Sequence, residues 1–489
     1  MSTAETDTPA RPTASSSSSP SASTSASGPV LAPTRRGRWI ERWEPEDPEF
    51  WRRTGRRVAR RNLVLSVLTE HLGFNVWIVW SVVVVNLRPA GFDFTADQLF
   101  WLISAPNLVG AALRVPYTFA VPRFGGRVWT AVSAALLLVP CLLLVVAVRD
   151  PETPYWLFLL AAATAGVGGG GTFSSSMANI SFFFPERKKG FALGLNAAGG
   201  NIGVAVTQLV VPVVISLGGG VHLAYAGLLW MPFVVVAGVC AWFLMDGLAE
   251  ARADTRSYAT ALRDGHTWVV AFLYVGTFGS FIGYSFALPL LIRSTFPELE
   301  AVPALARLGY LAFVGALVGS VARPLGGWLA DRFGGARVTA LTFAGMALGA
   351  VGVVSGLDSH HFPVFLGSFL WLFVMTGIGN GSTYRMIPAI FGARARRRAV
   401  ERGTSADEEA RAARRRSAAV IGIAGAVGAF GGFLVNQVFR IAHVHLGTVA
   451  PAVWVFFGGY LLSVGVIWWC YLRRRLLVTR VPSLAHENV

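Results

Sequence analysis

The chain has 489 residues, of which 54% are hydrophobic and only 14% charged, with 54 glycines, 33 phenylalanines and 16 tryptophans. A soluble domain carries about 25% charged residues, so this chain lacks the polar surface to stay in water; a cytosolic enzyme is excluded and the bilayer is its solvent. The formal net charge of +16 comes mostly from Lys and Arg in short runs between long apolar stretches, a pattern of membrane topology rather than of nucleic-acid binding.

Residues 1–34 are rich in Ser, Thr, Ala and Pro and have neither an apolar core nor a basic start, so a disordered cytoplasmic tail is expected there. Residues 35–62 form a basic juxtamembrane arm in which Trp39, Trp43 and Trp51 are interleaved, a mixture suited to the membrane interface. Twelve stretches long enough to span follow, at 63–87, 97–121, 128–148, 155–180, 191–217, 221–245, 267–292, 307–330, 336–356, 362–388, 417–442 and 450–473. They divide into an N-terminal six-helix half (63–245), a cytoplasmic linker (246–266), a C-terminal half (267–473) and a short cytoplasmic tail (474–489). The Arg-rich link 389–416 reads as a solvated connection. Links rich in Lys and Arg alternate with links poor in charge, which predicts that both termini of this cell-membrane protein are cytoplasmic. Cys141, Cys240 and Cys470 all lie inside apolar stretches with no CxxC spacing, so no disulfide, metal or cofactor is expected, and no nucleophile and base suggest an enzyme.

An internal repeat specifies the architecture. Residues 112–131 align with residues 321–340 at a shift of 209, which places Arg114 on Arg323, Arg123 on Arg332, and Phe124-Gly125-Gly126 on Phe333-Gly334-Gly335. A fainter match at a shift of 228 places Gly194, Gly200 and Gly203 of the fifth span on Gly422, Gly428 and Gly431 of the eleventh. Two copies of a six-helix unit bind substrate near the midplane, between halves that rock around it. Asp331, Arg332, Gly334 and Arg337 form a polar turn past the eighth span that could latch one half to the other; in the first half Pro122 replaces Asp331. A plain turn that anchors helix ends is the other reading.

Arg114 and Arg323 each stand about ten residues before such a turn, roughly 15 Å along a helix, and so near the membrane middle. An Arg there costs about 2.5 to 3.5 kcal/mol, and Glu70 is the only clear acidic partner in the spans. One acid cannot neutralise two arginines, so the spacing points to an anion held between them. Arginine's planar fork suits a flat oxyanion and stays charged at physiological pH. The run Gly166–Gly171, interrupted only by Val167, lacks a following GK[ST] and reads as close helix packing. Asn179, Asn196, Asn201 and Gln208 are buried amides that serve either as glue between helices or as ligand contacts.

The stretches NISFFFPERKKGFALGLNAAGGNIGVAVTQLV, AAVIGIAGAVGAFGGFLVNQVF (418–439), ALRVPY around Arg114 and TFGSFIG (277–283) together resemble the nitrate/nitrite porter family (NarK-type) of the major facilitator superfamily. The resemblance runs from about Arg35 to the end of the twelfth span and implies an all-α membrane protein of twelve helices in two pseudo-symmetric halves. It further implies that Arg114 and Arg323 bind the anion from opposite sides, that Tyr274 adds a hydroxyl, that Phe173 and Phe278 cover its flat faces and that Asn201 contacts it from the fifth span. Gly199, Gly200, Gly425, Gly428 and Gly431 would serve helix packing and gating, with Asp331 and Arg332 at the latch.

Coupling is the remaining choice. Two fixed positive charges favour exchange of one anion for another, whereas Glu70-His71 on the first span resembles the branch that moves nitrate with protons. A structural Glu70, held by His71 or by an arginine near that helix end, is the alternative. The reading adopted is proton-coupled nitrate uptake, with nitrate/nitrite antiport second and a major facilitator exporter of another small organic anion or drug more distant. Nitrate, nitrite, protons and membrane lipids are the expected partners of a monomer; nucleic acid is not.

Overall fold

The computed structural model describes residues 35–36, 38–249, 251, 255–302 and 309–473; the tails expected at 1–34 and 474–489 lie outside the described residues. Among the described residues, twelve helices are long and apolar enough to cross a bilayer: α1 (Pro48–Asn86), α2 (Ala96–Phe124), α3 (Gly126–Ala147), α4 (Tyr155–Phe183), α5 (Glu186–Ile215), α6 (Ala224–Leu244), α7 (Gly265–Thr295), α8 (Ala312–Phe333), α9 (Gly335–Asp358), α10 (Phe362–Arg402), α11 (Ala406–Leu446) and α12 (Ala450–Leu472). The even number of crossings puts Pro48, where α1 begins, and Leu472, where α12 ends, on one face, here called the terminal face.

Two expected links are helix instead. The first span begins at Pro48, where Asp47 Oδ1 accepts the Glu49 and Phe50 N–H groups at 2.7 and 3.2 Å. The 389–416 link is solvated but not a loop. Its Ala, Arg and Glu residues favour helix, an Arg397–Glu401 pair at 2.7 Å spans one turn, and only a short turn at Gly403 (φ +62°) separates α10 from α11.

The repeat is visible in the backbone. Gly125 and Gly334, which align with each other, both adopt positive φ (84° and 91°) where α2 meets α3 and α8 meets α9, a conformation that only glycine takes without strain. The apolar windows of α1 and α7 are 83% and 89% buried, against 28% and 33% for α6 and α12. The first helix of each half is therefore central and the last peripheral. Across the halves α1 packs on α7, α2 on α11, and α5 on α8. On the face opposite the termini this seam carries an ion pair between Asp97 and Arg440, with the Arg440 guanidinium 5.3 Å from the Trp101 ring. Gln208 donates to the Ser285 carbonyl at 2.6 Å nearby.

The juxtamembrane arm differs from the expectation of residues lying in the membrane interface. Trp43 and Trp51 are buried against Phe183 and Phe184 at the end of α4, and Trp43 Nε1 donates to the Phe183 carbonyl at 3.3 Å. A small sheet joins β1 (Arg35–Arg36), β2 (Trp39–Ile40) and β3 (Gly247–Leu248), with β2 and β3 parallel. Asn62 Oδ1 accepts the Asp246 N–H at 3.0 Å, and Arg61 pairs with the buried Asp246 carboxylate. Apolar rings packed on helix ends gain more than rings left in the headgroup layer because their whole surface is removed from water.

Candidate functional site

Arg114 lies in α2 between prolines at 106 and 116, wholly buried. Its Nε donates to the Gly170 carbonyl at 3.2 Å and its Nη1 to the Gly425 carbonyl at 2.8 Å, so both halves of the protein hold it. Glycine is what exposes these carbonyls. Residues Gly166–Gly170 form a π-helical turn in α4, and a methyl on Gly170 would collide with the backbone of Gly110. The glycine run thus brings α4 against α2, as the packing reading expects, and also leaves Gly170 O facing Arg114.

Arg323, at the equivalent place in α8, is 8% exposed and donates from Nη2 to the Tyr274 hydroxyl at 3.3 Å. Arg114 Nη2 and Arg323 Nη1 are each buried without a hydrogen-bond partner among the described residues. A guanidinium N–H left unmatched in a dry interior costs a few kcal/mol, and a bound anion would recover it.

Between the arginines stands an aromatic set. Tyr274 precedes and Phe278 lies within another π-helical turn, Val275–Gly279, and their rings stack at 5.1 Å with 5° between planes. Phe173 lies 6.5 Å from Phe278 at 27°, and the Arg114 guanidinium sits 4.7 and 5.2 Å from the Phe173 and Phe278 rings. Such cation–π contacts offset part of the cost of the buried charge, about 1 to 2 kcal/mol each when dry. The structure therefore brings Arg114, Arg323, Tyr274, Phe173 and Phe278 into one cluster. Asn201 in α5 is buried with its Oδ1 unpartnered among the described residues, and no bond ties it to that cluster.

Glu70 and His71 do not pair. The wholly buried Glu70 carboxylate accepts from Ser176 in α4 and Asn196 in α5, while His71 Nδ1 lies 3.0 Å from the Gly199 carbonyl. Neighbours on a helix point about 100° apart, which is why the two go separate ways. Glu70 nonetheless lies within electrostatic reach of both Arg114 and Arg323, and its Oε1 has no hydrogen-bond partner among the described residues.

The remaining glycines mark close contacts. A methyl on Gly199 would reach Val67 at 2.5 Å, and one on Gly200 would reach Glu70 Oε1 at 2.5 Å and Phe74 at 3.1 Å. In α11, a methyl on Gly428 would run into the Tyr274 ring, and one on Gly431 would lie 2.9 Å from Gly279 Cα. Gly425 is 3.1 Å from the Tyr384 hydroxyl by the same measure. At the terminal-face turn Asp331 pairs with Arg385 of α10, so this ion pair lies inside the second half instead of joining the two halves. Arg332 is exposed and rests on Trp328 and Phe333 at 5.8 and 5.7 Å.

Tyr384 and Ser176 are the contributors that the residue pattern did not single out. The Tyr384 ring is 4.5 Å from Tyr274 and 5.2 Å from the Arg323 guanidinium; its position beside Arg385 in NGSTYRMIP was the available signal. Among the described residues no group of three or more His, Cys, Asp or Glu side chains could hold a metal.

Comparison with known proteins places this geometry. The family model of the Major Facilitator Superfamily matches residues 64–406. The nitrate/nitrite transporter NarU of Escherichia coli (strain K12) is 40% identical over 451 residues, covering 88% of this chain and 96% of that protein. The probable nitrate/nitrite antiporter NarK2 of Thermus thermophilus is 36% identical over 463 residues, covering 90% and 98%. A D-xylose-proton symporter structure superposes with a TM-score of 0.65 at 14% identity over 87% of this chain and all of that one, and an inward open structure of the E. coli xylose transporter XylE with 0.63 at 12% over 84% and 97%; these share the fold alone. Twelve apolar helices, a repeated intramembrane arginine and relatives above 30% identity along nearly the whole length thus agree: the chain is a multi-pass membrane transporter of the major facilitator superfamily and belongs, within it, to the NarK-type nitrate/nitrite porters.

Proposed function

We propose that the protein carries nitrate and nitrite across the cell membrane by alternating access, with the terminal face cytoplasmic and the anion clamped between Arg114 and Arg323. One observation carries this reading: two arginines from equivalent places in the two halves flank one aromatic stack, each with a buried N–H nitrogen that lacks a partner among the described residues. A planar anion lying against Phe173 and Phe278 would accept from both guanidiniums and from the Tyr274 hydroxyl. Because Arg114 is bonded to Gly425 across the halves, the halves cannot separate around the site without exchanging that bond for another. An anion on Arg114 supplies the replacement.

Uptake is coupled to protons through Glu70. The carboxylate is fixed by Ser176 and Asn196, sits within reach of both arginine charges and keeps one oxygen unpartnered among the described residues, so its protonation and the anion's arrival affect one another directly. Exchange of nitrate for nitrite is the second reading; two permanent charges facing one site oppose reorientation of an empty carrier, and two Thermus thermophilus relatives are named probable nitrate/nitrite antiporters.

The test is uptake of labelled nitrate into proteoliposomes with and without an inward proton gradient, for wild type and Glu70→Gln. Gradient-driven uptake with no internal anion, lost in Glu70→Gln, is expected. Uptake that requires internal nitrite and ignores the gradient would assign exchange and leave Glu70 a structural role.

A further inference from the structure

The stretch of α1 that precedes its apolar span carries arginines at 52, 56, 57, 60 and 61. Spacings of four place Arg52, Arg56 and Arg60 in one row and Arg57 and Arg61 in the next, with Val64 and Leu65 continuing the two rows toward the membrane. Together with Leu244 at the end of α6, all five arginines line one open cavity of about 590 Å³, the size of a small-molecule site.

Charge pairing separates these arginines from their neighbour. Arg53 pairs with Glu49 at 2.8 Å and points elsewhere. Arg61 is taken by Asp246, whereas Arg52, Arg56, Arg57 and Arg60 are exposed and have no carboxylate partner among the described residues. Four uncompensated charges converge on a groove whose inner wall is apolar. Val64 is 63% exposed and Leu244 44%; Leu68, one turn further along α1 from Val64, and Phe243, next to Leu244 in α6, are exposed as well. Arg60 and Arg61 stand about 5 Å along the helix from Val64, a headgroup's depth from the hydrocarbon.

We propose that this groove is a binding site for an anionic phospholipid of the leaflet on the terminal face. The phosphate and any further headgroup oxygens would take the fork-like donors of Arg56, Arg57 and Arg60, while the acyl chains would lie along Val64, Leu68 and Phe243. A soluble acidic peptide would match the charges but would leave the apolar wall facing lipid. Bound there, the lipid braces α1 against α6 beside the Arg61–Asp246 pair, so it ties the outermost helix of the first half to its central one.

The test is native mass spectrometry of the purified full-length protein with phosphatidylglycerol or phosphatidylcholine added, for wild type, R56Q/R57Q/R60Q and R56K/R57K/R60K. A basic residue beside an anionic surface is worth about fivefold in affinity, so the triple Gln variant is expected to lose phosphatidylglycerol about 100-fold and the triple Lys variant to keep most of it. Phosphatidylcholine is expected to bind all three equally weakly. If the triple Gln variant does not fold, Arg57→Gln alone is expected to lose about fivefold. Equal retention of the two lipids by wild type, or unchanged phosphatidylglycerol binding by the Gln variants, overturns the proposal. A thermal shift from millimolar inorganic phosphate that matches the lipid's would also overturn it by assigning the groove to a free anion.

Discussion

Arg114 and Arg323 stand 209 residues apart at the same place in two copies of one unit, and their surroundings have diverged. Arg114 is held by two backbone carbonyls, one from each half, and capped by Phe173 and Phe278. Arg323 has a single phenol and the face of Tyr384, both from its own half. The first is therefore held from both halves at once, and the second from its own half. Duplication conserved the charge, while the glycines that expose carbonyls at 170 and 425 created the difference.

Replacing each arginine by lysine tests this contrast most severely. A lysine head carries no second branch to bridge Gly170 and Gly425, so Arg114→Lys is expected to lower nitrate uptake in proteoliposomes at least about 100-fold, a loss of about 2.7 kcal/mol. Arg323→Lys should lower it about tenfold, mostly through KM. Equal losses would break the comparison. Next in size is Gly428→Ala, whose methyl enters the Tyr274 ring; overpacking of about 1 to 3 kcal/mol should lower Tm and slow uptake about tenfold. Tyr274→Phe keeps the stack and removes only the oxygen that Arg323 reaches at 3.3 Å, so about a fivefold rise in KM is expected, equivalent to about 1 kcal/mol. Smallest is Asp331→Asn. Its partner Arg385 and Asp331 itself are 56% and 51% exposed, such pairs contribute about 0 to 1 kcal/mol, and uptake should change less than about twofold.

The parts of this design legible in the residues are those that the bilayer forces into view. Apolar length marks twelve spans, and a charge repeated at midplane depth must be accounted for, so Arg114 and Arg323 stand out without a structure. Tyr274, Phe173, Phe278 and Asn201 stand out only through family resemblance: a single Phe among 33 carries no mark of its own, and a lone Tyr or Asn in a span carries little more. Tyr384 and Ser176 have no distinguishing local pattern either, apart from the place of Tyr384 beside Arg385. A basic, Trp-rich arm suits the membrane interface by local pattern; burial of Trp43 under Phe183 depends on a contact 140 residues away that no local pattern encodes. The charge of the 389–416 link points to a solvated connection, while its Ala, Arg and Glu content favours the helix that forms there.

The two terminal-face turns diverge as well. A methyl on Gly126 would strike Asn179 and one on Gly335 would strike Met386, which makes Asn179 and Met386 counterparts and sets Ala178 opposite Arg385. The first half therefore lacks both members of the Asp331–Arg385 pair, having Pro122 and Ala178 instead. In their place the Trp39 ring lies over Gly125 and against Gly247.

That clasp has a consequence for synthesis. Arg35–Arg36 pairs with Trp39 and Ile40 at once, but their parallel partner β3 is roughly 200 residues downstream, so at about 5 to 20 residues per second the arm waits some 10 to 40 seconds on the ribosome before that strand exists. By then all six helices of the first half have been made and none of the second. Closure of β2 on β3 and of Arg61 on Asp246 would thus complete one half as a unit before the other enters the membrane.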